Sequence, residues 1–194
     1  MSAGQLHLAS ASPRRREILT TLGVSFSFAG EDVDEQPLAG EPAAELVVRL
    51  AGDKARAAQA TRADTPILGA DTVVVLDQRI FGKPASRQQA LEMLQTLSGR
   101  THEVLTAVVL LAGGVASSVL CRSMVTFRDI SADDAALYWQ SGEPRDKAGG
   151  YAIQGLGGVF VSRLQGSYSG VVGLPVFETA ALLRTAGIDV LQNH

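Results

Sequence analysis

The stretch Leu6-His7-Leu8-Ala9-Ser10-Ala11-Ser12-Pro13-Arg14-Arg15-Arg16-Glu17-Ile18-Leu19-Thr20-Thr21-Leu22 reads as a short apolar strand that turns through small residues into a helix, and the rest of the chain is organised around it. Ser12 suits the N-cap, and Pro13 suits the first helical position because its ring pre-sets φ. Three arginines then fill the first turn, where the helix dipole is already positive and a carboxylate would be favoured by roughly 0.3–1 kcal/mol. Cations stacked at that end make sense when an anion is to be held there. Free N–H groups at a helix start attract phosphate, and arginine adds forked, permanently charged donors. Ile18, Leu19 and Leu22 define the apolar face; Arg15 continues it, Arg14 borders it, and Arg16 points away. Arg14 and Arg15 are therefore expected to line a cleft, and Arg16 to be a solvated surface charge.

Working outward, 194 residues of which 46% are hydrophobic can bury one sizeable core or two small lobes. The net charge of −3 is spread through interspersed Lys, Arg, Asp and Glu. That pattern excludes a broad basic face for duplex nucleic acid, so the expected anion is small. The lone cysteine, Cys121, lies in an apparent strand and has no internal disulfide partner. A buried, inert thiol and a reducing cytoplasm are the expectations. Met1–Gln5 has neither the basic region nor the apolar run of a leader, and the apolar runs Thr106–Leu111 and Gly69–Leu76 are too short to span a bilayer. With no repeat or linker, residues 1–194 are expected to form a single domain.

Along the chain, Val24–Phe28 alternates as a half-buried strand and is followed by an acidic patch, Glu31, Asp32, Asp34 and Glu35. Glu41-Pro42 opens a helix to about Ala60. Pro66–Leu76 is the strongest strand, and Ile80–Phe81 a short one. Ser86–Leu97 has helical spacing. Thr101–Leu111 and Val115–Phe127 form a hairpin across Gly113-Gly114. Ser131 caps a helix over Ala132–Ser141, in which Leu137 and Trp139 are expected to pack. A glycine-dense stretch, Asp146–Gly158, precedes a strand over Val159–Arg163, and a last helix over Val171–Ala186 is interrupted early by Pro175. Strands and helices in this order predict an α/β fold of two or three layers.

Asp71 is the first residue that needs a chemical reason. A carboxylate in the middle of a buried strand costs several kcal/mol unless it is paired, hydrogen-bonded or metal-bound. It is either a carboxylate satisfied by backbone N–H groups, a metal ligand or a general base. Glu35, with Asp32 and Asp34 near it, offers a second hard oxygen donor of the kind Mg²⁺ takes together with substrate phosphates. Lys54 falls on the apolar stripe of its helix, and packing of its stem accounts for it as well as function does. Together, Lys54, Lys83 and Lys147 with the two arginines match the needs of a polyphosphate. Gly82-Lys83-Pro84 is no Walker A loop, Gly155-Leu156-Gly157-Gly158 precedes a strand and fails as a dinucleotide fingerprint, and Gly166-Ser167-Tyr168-Ser169-Gly170 is no nucleophile elbow. His7, His102 and His194 are scattered, which argues against a histidine metal site or a Ser-His pair.

Seven motifs in order, Leu8-Ala9-Ser10-Ala11-Ser12-Pro13-Arg14-Arg15, Asp34-Glu35, Leu50-Ala51-Gly52-Asp53-Lys54-Ala55, Gly69-Ala70-Asp71-Thr72-Val73-Val74, Gly82-Lys83-Pro84, Ser98-Gly99-Arg100-Thr101-His102 and Asp146-Lys147-Ala148-Gly149-Gly150-Tyr151-Ala152-Ile153-Gln154-Gly155, resemble the Maf family of nucleoside triphosphate pyrophosphatases. The resemblance implies an α/β fold like that of Maf and inosine triphosphate pyrophosphatases, with an elongated mixed sheet flanked by helices and two lobes around a central cleft. It implies hydrolysis of a nucleoside triphosphate to monophosphate and pyrophosphate with a divalent cation, Mg²⁺ or Mn²⁺, in a homodimer. Asp71 matches the family's proton acceptor, and Glu35, Lys54 and Lys83 match its metal and phosphate residues. Ser10, Ser12 and Arg15 fall in its first motif and Lys147 in its last, all on the substrate side. Arg14, Thr72 and Gln154 match positions that set base preference, and their identities resemble the subfamily acting on dTTP and UTP. The 7-methyl-GTP subfamily has tryptophan, glutamine and glutamate there. A glutamine amide offers one donor and one acceptor edge, which suits the N3–H and carbonyl shared by uracil and thymine. Gly52 departs from the charged residue common before Asp53. The rival expectations are the same reaction on a purine or 7-methyl-GTP, and a non-catalytic nucleotide-binding regulator of septum formation.

Overall fold

The computed structural model describes residues 6–62 and 64–192. Met1–Gln5 and His194 lie outside the described residues. Strand β1 (Leu6–Ala9), buried at every position, pairs in parallel with β2 (Phe26–Ala29) on one side and with β3 (Ile67–Leu76) on the other. The remaining strands are β4 (Arg79–Phe81), β5 (Thr101–Ala112), β6 (Val115–Phe127) and β7 (Val161–Gln165). They complete a mixed seven-stranded sheet in the order β2-β1-β3-β5-β6-β7, with β4 antiparallel on β3. The helices are α1 (Pro13–Thr21), α2 (Ala43–Gln59), α3 (Arg87–Leu97), α4 (Ala132–Gln140), α5 (Tyr168–Val172) and α6 (Val176–Thr185).

The chain divides into two compact units. The first comprises the chain through Asp71, Thr106–Cys121 and the segment from Gly173; the second comprises Thr72–Leu105 and Arg122–Val172. Strands β3, β5 and β6 each begin in one unit and end in the other. The first unit has a core of aliphatic side chains, with Leu6, Leu8, Leu19, Leu68, Leu110 and Leu174 nearly or wholly out of water. Each such leucine contributes about 1.5–3 kcal/mol. The core of the second unit is aromatic at its centre, where Phe127 meets Tyr151 edge-on at 4.7 Å and Tyr138 meets Phe160 at 5.2 Å.

Helix α2 approaches β3 closely at Gly69, where an added Cβ would lie 2.1 Å from the Ala51 carbonyl oxygen and 3.0 Å from the Ala55 Cβ. Backbone cannot yield as a side-chain tip does. Gly69→Ala is therefore expected to lower stability by about 3 kcal/mol, by pushing helix and strand apart. Urea denaturation checks this; an unchanged midpoint would show that the approach is not required.

Several elements differ from the sequence reading. Strand β2 starts at Phe26 rather than Val24, because Gly23 turns the chain at φ +66° and the Val24 amide still closes the end of α1 on the Leu19 carbonyl. Residues Leu156–Phe160 form 3-10 turns, so β7 runs over Val161–Gln165 and not Val159–Arg163. The amides of Leu156 and Gly157 turn inward to the Glu143 carboxylate, which a strand would not permit. The final helix is two, α5 and α6, because Gly173 at φ +127° and Pro175 break it. Leu137 is 63% exposed and does not pack. The buried face of α4 follows Ala135 and Tyr138, and Trp139 is half-buried with Arg145 lying 5.5 Å from its ring centre. Arg16 is half-buried rather than fully solvated, with its guanidinium over the half-exposed Phe28 ring at 4.3 Å.

Candidate active site

Five of the expected residues, Ser10, Arg15, Glu35, Lys54 and Asp71, come together in the first unit. Lys54 is in the middle of α2, flanked by buried Leu50, Ala51, Ala55 and Ala58, and the close helix–strand approach at Gly69 brings its ammonium to β3. There Nζ donates to Asp71 Oδ1 at 2.7 Å and lies 2.6 Å from Glu35 Oε1. Asp71 is only 9% exposed, so the ammonium supplies the charge that its position in a buried strand demands. Glu35 is half-exposed, in the irregular segment before α2.

That segment is held by a residue the sequence reading passed over. Arg49 on α2 makes a two-pronged bond to Glu41, Nε to Oε1 at 2.6 Å and Nη2 to Oε2 at 2.8 Å, while Nη2 also donates to the Gln36 carbonyl at 3.0 Å. The bonds from Arg49 and the Leu38 amide hold the Glu41 carboxyl down at about 2. Arg49 thus ties the residue after Glu35 to the helix that carries Lys54. Its spacing, eight residues after Glu41 and four before Asp53, was the available signal.

Arg15 is buried, as the helix phase predicts. Nε donates to the Gly173 carbonyl at 2.8 Å and Nη1 to Ser10 Oγ at 3.0 Å. Burial pulls its pKa down; the negative charge of Asp71 works against this, Arg14 adds to it, and Glu35 opposes it. Ser10 Oγ also accepts from the Ser12 amide at 3.3 Å, so the turn entering α1 is pinned by the arginine it precedes. Ser12 occupies the N-cap and Pro13 the first turn; Arg14 is half-buried beside them. Ser10, Arg15, Glu35, Lys54 and Asp71 accordingly form one charged group with Arg14 at its border.

The other expected residues belong to the second unit. Thr72 follows Asp71 along β3, half-buried, and successive strand residues face opposite ways. Lys83 is exposed in the turn after β4, and the Gly82 carbonyl accepts from the Gly149 amide at 3.0 Å, joining that turn to the one following Lys147. Gly149 has φ +69°, and a Cβ there would lie 3.0 Å from the Val74 side chain, so the two lysine-bearing turns are drawn tight on β3. Lys147 is mostly buried and paired with Asp146. Gln154 is exposed, in the turn leading to the 3-10 segment. Cys121 is buried, and His7 is buried with Nδ1 2.8 Å from Ser27 Oγ.

A mixed α/β sheet carrying this lysine-bridged carboxylate pair defines the class: the chain belongs to the Maf-like protein family, whose model matches residues 5–186. Among curated relatives, a dTTP/UTP pyrophosphatase of Methylococcus capsulatus is 54% identical over 185 residues, 95% of this chain and 92% of the relative. Proteins of the same name from Saccharophagus degradans and Pseudoalteromonas translucida are 48% and 50% identical, covering 99% and 93% of this chain and 93% and 96% of their own lengths. Among the described residues, no helix is long and apolar enough to cross a membrane.

Proposed function

We propose that this chain hydrolyses dTTP and UTP to the nucleoside monophosphate and pyrophosphate. The observation that carries the reading is the Lys54 ammonium held between Glu35 and Asp71, in a chain about half identical to proteins named for that activity. Water attacks the α-phosphorus and a new P–O bond forms. The bond from that phosphorus to the bridging oxygen breaks, and its electron pair leaves with pyrophosphate. Asp71 accepts the proton of the attacking water. Lys54 keeps this carboxylate turned towards Glu35. Lys54 and Lys83, which match the family's metal and phosphate residues, hold the phosphates together with Arg15 and Lys147, whose positive charge suits the same role, and fixed positive charge there stabilises the transition state. Ser10 and Ser12 order the turn before Arg14 and Arg15.

The donor set suits Mg²⁺ or Mn²⁺. Glu35 and Asp71 converge on one cationic group, and no group of three or more His, Cys, Asp or Glu side chains forms a cage among the described residues. A hard ion that completes its shell from phosphate oxygens and water needs no such cage. Bound at those two carboxylates, it would neutralise charge on the triphosphate.

Arg14, Thr72 and Gln154 set the base preference in this reading. Gln154→Glu removes the amide donor that faces a pyrimidine carbonyl, so kcat/KM for UTP and dTTP is expected to fall about tenfold to a hundredfold while the melting temperature holds. An unchanged substrate profile would contradict the assignment. The decisive assay for the whole reading is pyrophosphate release over a panel of canonical and modified nucleotides with Mg²⁺ or Mn²⁺; turnover of purines alone, or none, would overturn it. Homodimerisation and a cytoplasmic location complete the proposal, the latter in keeping with the buried thiol of Cys121.

A further inference from the structure

Gln154 is displayed on a short turn, and the second unit contains an arrangement that holds this turn from both sides. The Gly155 amide donates to the Ala152 carbonyl at 3.2 Å, closing a four-residue turn with Ile153 and Gln154 at its centre. At the entry, the Ala152 amide donates to the Tyr138 hydroxyl at 3.1 Å. At the exit, the amides of Leu156 and Gly157 donate to Glu143 Oε2 and Oε1 at 3.0 and 2.9 Å. The two anchors are joined, since the Tyr138 hydroxyl donates to Glu143 Oε1 at 2.5 Å. A single hydroxyl–carboxylate pair therefore receives the backbone on both flanks of Gln154.

The fit leaves no room for error. A Cβ on Gly155 would lie 2.1 Å from Glu143 Oε2, and one on Gly157 would lie 2.5 Å from the Tyr138 hydroxyl. Tyr138 is itself fixed by burial and by its edge-on contact with Phe160, and Tyr151, next to the turn, bonds His102 through its hydroxyl at 2.8 Å. Burial works to raise the pKa of Glu143, but the bonds from Tyr138, Gly157 and Leu156 and the charge of Lys147 outweigh it and leave the carboxyl below the usual glutamate range. It is an ionised acceptor with three donors.

We propose that Tyr138 and Glu143 act as a positioning pair that fixes the Ala152–Gly155 turn and thereby sets the nucleobase that Gln154 admits. The inference rests on the reading of Gln154 as the base-contacting residue. Discrimination by hydrogen bonds depends on placing the amide so that the wrong base leaves it unpaired, and a loosened turn lets the amide rotate to suit either edge. Uracil and cytosine separate the two states cleanly, because they exchange donor for acceptor at N3 and at position 4.

The test compares wild type with Glu143→Gln, Tyr138→Phe, Gln154→Ala and the Glu143→Gln/Gln154→Ala double variant. Glu143→Gln keeps the shape but puts an amide donor against a backbone or tyrosine donor; Tyr138→Phe keeps the ring packing and removes the hydroxyl. In each, the preference for UTP over CTP in kcat/KM is expected to fall about tenfold, through KM for UTP, with kcat within about twofold of wild type. In Glu143→Gln, hydrogen exchange at the Leu156 and Gly157 amides is expected to quicken. In the double variant the preference is expected to match that of Gln154→Ala alone, since a positioning residue has nothing left to position. Unchanged amide exchange in Glu143→Gln overturns the proposal whatever the activity does. So does an unchanged UTP preference in both Glu143→Gln and Tyr138→Phe when Gln154→Ala alters it. A Gln154→Ala variant that leaves the preference unchanged, or wild type that releases no pyrophosphate from UTP, refutes instead the reading of Gln154 on which the proposal stands.

Discussion

Asp71→Asn is expected to lower pyrophosphate release from dTTP and UTP by about a thousandfold while leaving the protein folded. Asparagine has the same shape and can still accept from the Lys54 ammonium, which bonds Asp71 Oδ1 at 2.7 Å, but it cannot take a proton from water. Glu35, 2.6 Å from the same ammonium, continues to balance its charge. The loss of stability is accordingly small, about 1–2 kcal/mol from weakening a charge-assisted bond. Single-turnover assays with saturating Mg²⁺, set beside thermal melts, measure both quantities. Turnover within tenfold of wild type would defeat the assignment of Asp71 as proton acceptor, and a collapse of the melting transition would show that its charge is held for structure.

Lys54→Met has the second large effect and touches stability as well as rate. The methionine stem fills the space between Leu50, Ala51 and Ala55, so packing on β3 survives. What disappears is the ammonium that bonds both Glu35 and Asp71. Removing one partner of a buried ion pair leaves the other uncompensated, and here about 2–3 kcal/mol of stability is expected to go, less than for a fully buried pair because Glu35 is half-exposed. Catalysis is expected to drop by at least about a hundredfold through the loss of a fixed positive charge. Urea denaturation and steady-state assays on the same preparation separate the two effects. Wild-type stability would show that Asp71 draws its compensation from elsewhere, and wild-type turnover would show that the ammonium does not take part.

Much of this was legible in local patterns. The strand–turn–helix of Leu6–Leu22 is present with Pro13 at the head of the helix, and the burial of Arg15 follows from its phase with Leu19. The mid-strand carboxylate of Asp71 and the lysine on an apolar stripe each signalled an unusual environment, and each proves to satisfy the other. The errors also have causes. Leu137 was expected to pack because it is apolar, yet α4 turns its Ala135–Tyr138 face inward, and periodicity over nine residues does not fix that choice. Val159–Arg163 has strand composition, but Glu143 binds the amides just before it and delays the strand by two residues. Arg49 and Glu143 were missed for one reason. Each acts on backbone of a segment with no regular spacing of its own.

Composition, charge order and motif spacing thus settle which pieces form and point to the side chains proposed to bear the chemistry, because hydrophobic periodicity and capping act over a few neighbouring residues. The meeting of those side chains is another matter. Lys54 reaches Asp71 across 17 positions, and Arg15 reaches the Gly173 carbonyl across 158, distances over which no sequence period carries information. Such contacts exist because the backbone of α2 and β3 closes to contact at Gly69 and because the sheet orders β1 next to β3, so that packing and strand pairing, not local propensity, bring the charges to one place.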